Sequence, residues 1–138
     1  MSDADMAYYE ASLPGMTGEC RAMVRREGLF SIPFYTDECF RMTQPRRWQG
    51  LWRTGFEDSM FCEVPATRCS LGSQPEDVWI EFKTPADFRA KVPDGLYRID
   101  FIGRRTVVPG SHGHLGVARH AMVVDRLLFI DKVADTPR

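Results

Sequence analysis

Residues 96–106 alternate with a period of two. Tyr97, Ile99 and Phe101 fall on one side of the chain, and Arg98 and Asp100 on the other. A helix advances roughly 100° per residue and would spread these residues around its circumference, so only a strand presents one apolar face here. A second apolar segment, 119–133, follows a loop over 107–118 that carries Pro109-Gly-Ser-His-Gly-His-Leu-Gly116. Met122, Asp125, Arg126 and Leu127 would tolerate a helix, but the β-branched content and the preceding strand favour β. The two segments predict a hairpin that completes a small barrel.

Upstream, residues 19–34 hold Ala22, Val24 and the run Leu29-Phe30-Ser31-Ile32-Pro33-Phe34, interrupted by Gly28. They are expected as one bent first strand, with the glycine at the bend. Residues 35–47 read as a connecting loop. Residues 48–56 put Trp48, Gly50, Trp52, Thr54 and Phe56 on one face of a second strand. Three aromatics there can make a core wall or a stacking platform, and the burial energy of aromatic rings favours the wall. In residues 77–82, Val78, Ile80 and Phe82 oppose Trp79 and Glu81, the pattern of a half-buried third strand. Thr84-Pro85-Ala86-Asp87 has the N-cap, N1 and N3 residues of a helix start, and Pro93-Asp94-Gly95 ends that helix quickly.

The order strand, strand, strand, short helix, strand, strand resembles that of an OB-type barrel, a five-stranded Greek-key architecture. The expectation is a mainly β, OB-like barrel over 19–138 behind a flexible arm at 1–18, for which a helix over 4–12 is the alternative. Another small barrel or a sandwich would use the same strands. The chain's 138 residues suit one such domain.

A net charge of −1 gives no overall basic field, so binding of nucleic acid or an anionic membrane would have to be local. No apolar run reaches the ~18 residues of a membrane span. The beginning of the chain lacks the basic and apolar regions of a signal peptide. Cys62 and Cys69 bracket a short Pro-containing loop that a disulfide could close, leaving Cys20 to pair with Cys39. Four reduced, partly buried thiols are the alternative, and with it both a cytoplasmic and an exported location stay open. The cysteine spacings contain no C-x2-4-C pair of the kind that holds structural zinc.

Basic residues are 15 Arg against 3 Lys, a bias that suits bidentate contacts to carboxylate or phosphate but also follows from genome composition. In an OB-like barrel the loops 35–47 and 107–118 would frame the ligand face. Arg46, Arg47, Trp48, Arg104, Arg105, His112, His114 and Arg119 lie at or beside them and form the expected binding set. Arginine and tryptophan are the usual anchors of protein interfaces, so a protein partner is the first expectation. Guanidinium groups beside rings also suit single-stranded nucleic acid. The three histidines, all within 112–120, could instead gather a metal ion. Ser111 beside His112 lacks a nucleophile elbow, and the loop glycines lack the Lys-Ser/Thr ending of a phosphate loop, so no enzyme and no cofactor is expected. Nothing in the sequence sets an oligomeric state.

Overall fold

The computed structural model describes residues 2–12, 14–85 and 87–135, with the side chains of Tyr9 and Ser12 excepted. Two helices come first, α1 (Asp3–Ser12) and α2 (Gly18–Glu27), then 3-10 turns at Leu29–Ser31 and Thr36–Glu38. Five strands follow: β1 (Arg46–Gly55), β2 (Asp58–Glu63), β3 (Val78–Phe82), β4 (Gly95–Arg105) and β5 (His120–Ala134). A four-residue helix α3 (Phe88–Lys91) lies between β3 and β4, and a 3-10 turn (His114–Gly116) between β4 and β5. Among the described residues no helix is long and apolar enough to cross a membrane.

The strands close into a barrel in the order β1-β2-β3-β5-β4, with β1 hydrogen-bonded to β4. Every contact is antiparallel except β3 to β5, which runs parallel from Val78↔His120 to Phe82↔Val124. The mainly β, five-stranded barrel of the sequence reading is therefore present. Trp52, Phe61, Ile80, Ile99, Phe101 and Met122 fill its interior, and the alternation read in 77–82 and 96–106 accounts for which side chains point inward.

The expected first strand is not a strand. Residues 18–27 form α2: the Thr17 side chain accepts a hydrogen bond from the Cys20 N–H at 3.3 Å, and Gly28, at φ 91°, closes the other end by donating its N–H to Val24 O. Cys20 and Val24, one turn apart, face inward while the charged residues face out. The Leu29–Ile32 run that suggested a strand makes only a 3-10 turn. The strand the sequence does not announce is β2; Ser59, Met60, Phe61 and Cys62 are all buried, so no alternation marks it. The segment 48–56 is consequently the first strand, and its connection to the next is the tight turn at Phe56 and Glu57 rather than the loop 35–47. The helix after β3 starts at Phe88 rather than at Thr84, with Asp87 in left-handed conformation before it and no side-chain cap.

The oxidised alternative holds for the cysteines. Cys20–Cys39 ties α2 to the segment that enters β1, and Cys62–Cys69 staples the loop leaving β2.

Candidate functional site

The loops 35–47 and 107–118 meet in space although they do not join adjacent strand pairs as expected. Met42 bridges Thr106, the Val107 N–H donates to Arg41 O, and the Phe40 and His112 rings stand edge-on at 5.1 Å. The second loop is itself folded: the His112 N–H donates to Ala118 O at 2.8 Å and the Ala118 N–H returns to His112 O at 3.0 Å. Gly113 is required within it. Its φ is +73°, and a Cβ at this position would stand 2.5 Å from two ring carbons of Trp79, so only glycine lets the loop lie on that indole.

Most of the expected arginines are occupied. Arg104 makes a two-pronged contact with Asp125 (2.8 and 2.6 Å) and a third with Asp37 at 2.9 Å, which raises its pKa above the usual range, the Asp125 hydrogen bond being the largest cause. Burial pushes the Asp37 carboxyl up, but hydrogen bonds from Lys83 and Arg104 outweigh it and hold the group below its ordinary value. Arg47 pairs with Asp100. Arg46 pairs with Glu63 at 3.1 Å and lies over the Trp48 ring, 3.2 Å from its centroid. Trp48 is buried and donates its indole N–H to Gly103 O. Arg105 joins Arg46 and Trp48 in lining a shallow pocket, with its Nε buried and without a partner. Arg119 is exposed. Arg46, Arg105 and Trp48 thus come together, while Arg47, Arg104 and Arg119 do not join them in that pocket.

The histidines separate too. The His120 ring bonds through Nδ1 to Thr106 and stands 3.4 Å from Glu76 through Nε2. His114 Nε2 lies 2.8 Å from Glu57. His112 is 5% exposed, its Nε2 has no partner, and burial, with the nearby charges of His120 and Arg119, pushes its pKa down to about 4. Among the described residues no three His, Cys, Asp or Glu side chains converge as a metal site.

His112 and His114 instead contribute to an open cleft of about 770 Å³. Its floor is the outward face of β3, with Trp79 and Glu81; its walls are the 32–36 segment, the β1–β2 turn, α3 and the 111–114 loop. Glu81 accepts from the Thr36 N–H at 2.9 Å and from the Thr36 hydroxyl, and burial raises its pKa in spite of them. Arg89 on α3 donates to Gly55 O and Asp58 O at 3.2 and 2.9 Å and lies 5.3 Å over the Trp79 ring. Phe34, 86% exposed, and Phe56, 87%, line it in solvent, and Leu115, 84% exposed, follows His114 along the chain. Three non-glycine residues have left-handed backbone among the described ones: Glu57 (φ 52°), Asp87 (58°) and Leu115 (57°). The first two line the cleft and the third adjoins His114, which does. Such conformations cost about 1–3 kcal/mol each and gather at binding sites.

Sequence reasoning passed over Trp79, Glu81, Arg89, Phe34 and Phe56 as site residues. One signal was present: a Trp and a Glu on the solvent side of a strand whose other side is wholly apolar. An apolar cleft with a few polar groups is what a ligand site looks like. Comparison of the chain with family models, curated proteins and solved structures returned no match.

Proposed function

We propose that the protein is a non-enzymatic binding module of OB-like type that receives a protein partner on the face framed by loops 35–47 and 107–118. The observation that carries this is the cleft mouth: two phenyl rings, Phe34 and Phe56, held in solvent on an aromatic-lined cavity, with the exposed Leu115 next along the chain from its His114 wall. Exposed apolar groups clustered at a concave site mark interaction surfaces, since scattered they would cost nothing and clustered they invite association. The barrel is rigid enough to present them, being closed and carrying α3 between β3 and β4. Single-stranded nucleic acid is the weaker reading, because Arg46, Arg47 and Arg104 are already satisfied by carboxylates.

A photo-cross-linking residue placed at Phe34 or Phe56, with Leu128 on β5 as the control, tests it in native extract. One discrete protein adduct at the cleft positions and none at Leu128 is the expected result. Equal labelling at all three positions, or none, overturns the proposal. Binding of labelled single-stranded oligonucleotides that falls steeply with salt would put the nucleic-acid reading in its place.

A further inference from the structure

Resting on that partner-binding reading, we infer that the side chain the cleft receives is cationic: a lysine or arginine of the partner with an apolar residue beside it. The lining carboxyls are those of Glu57, which faces His114, Glu81, which is bonded by Thr36, and the exposed Asp87 and Asp94, against the single guanidinium of Arg89. That guanidinium is held against the cleft wall, its Nη2 donating to Gly55 O and Asp58 O and its carbon lying over Trp79. His112 adds no positive charge at neutral pH, being buried and held neutral. His114 is turned to Glu57. An acidic or phosphorylated ligand would meet more carboxyls than cations among the lining side chains.

The rings select in the same direction. An aromatic face is the negative pole of its quadrupole and attracts a cation set over it. Phe34 and Phe56 bring such faces to the walls and mouth, while the neighbouring Tyr35 ring, edge-on to Phe34 at 5.1 Å, already carries the Lys83 ammonium 5.5 Å from its centroid. Arg89 already uses Trp79 in this way. A small hydrated metal ion does not match, since among the described residues the carboxylates do not converge on one point. The charge has to arrive on a large, weakly hydrated group with an apolar stem, which a guanidinium or alkylammonium side chain provides. The exposed Phe34, Phe56 and Leu115 would then cover the apolar neighbour.

A displayed peptide library panned on the wild-type protein and on the double variant Phe34→Ala/Phe56→Ala tests this, because both replaced side chains are in solvent and their loss leaves the barrel intact. Peptides retained by the wild type and lost on the double variant are expected to share a Lys or Arg next to an apolar residue. For one such peptide, calorimetry should show binding weakened at least about ten-fold when the base becomes Met, as for an interface anchor. Asp87→Asn and Asp94→Asn should each weaken it roughly three-fold, the scale of an exposed ion pair. Cleft-dependent peptides that lack a base, or that are acidic, overturn the cationic inference and leave the partner-binding reading standing. If no retained peptide depends on Phe34 and Phe56, both fall.

Discussion

Two tryptophan sites of the barrel, at Trp48 and Trp79, are made from the same residue types and end in opposite states. At Trp48, Arg46 covers the ring face, the indole N–H is bonded to Gly103 O, and the neighbouring charges of Arg46, Glu63, Arg47 and Asp100 are paired. At Trp79 the ring is only half-buried, Arg89 spends its donors on main-chain oxygens, and the carboxyls around the cavity outnumber the cations. The first arrangement stabilises the barrel and leaves only the buried Nε of Arg105, beside it, without a partner. The second leaves an indole, several phenyl rings and unbalanced charge facing an open cavity. A tryptophan flanked by arginines was the expected mark of a binding face, and the comparison shows why it misleads: neutralised and capped, that cluster is part of the wall.

The sharpest way to break this contrast is to truncate each ring. Trp48→Ala should lower the unfolding free energy by about 4 kcal/mol, since a buried Trp leaves a large cavity. Trp79→Ala should cost less than half as much in the same urea titrations while abolishing cleft-dependent peptide binding. Equal losses of stability would erase the distinction between wall and site. Next in size is Gly113→Ala, which must place a Cβ against the Trp79 ring in a backbone region that disfavours it. A loss of about 3 kcal/mol, measured by urea unfolding, is expected from strain and overpacking together. A loss too small to resolve would mean that the loop is not seated on the indole.

The smallest effect is acid sensitivity at His112. Its folded pKa, about 4, lies below the ordinary histidine value, so the neutral form is favoured in the fold. The stability this confers is complete above the unfolded pKa of about 6.5 and is lost as pH falls through the folded one, amounting to about 2 kcal/mol between pH 7 and pH 5. His112→Asn should remove that part of the pH dependence of urea unfolding. Parallel pH profiles for the variant and the wild type would show that His112 is not held in its buried, neutral state.

Local periodicity decided what could be read in advance. β4 alternates strictly because one of its sides meets the core and the other meets solvent, so its face and its hairpin partner were legible from Tyr97, Ile99 and Phe101 alone. β2 is buried on both sides, through Phe61 into the barrel and through Met60 and Cys62 against Leu51 and Leu96, and carries no period to detect. α2 shows only Cys20 and Val24 to the interior, a stripe too narrow to outweigh the Leu29–Ile32 run beside it, although Thr17 and Gly28 at its ends were readable caps. One strand too many and one too few left the count of five unchanged for the wrong reason. For the candidate site, His112 and His114 were legible through their loop. Trp79 and Glu81 became meaningful only once tertiary contacts set Thr36, Arg89 and Gly113 around them, and no pattern along the chain encodes that meeting.

The length of β5 has its own consequence. It pairs with β3 only through Val124, and from Asp125 onward its sole described ladder is to β4. The far side of that extension is a sheet edge, a template on which another chain's strand could add. Asp125, Arg126, Asp131 and Lys132 interrupt it with charge, two of them anchored by contacts to Arg104 and Asp135. The extension can therefore project past the barrel while discouraging strand-to-strand aggregation.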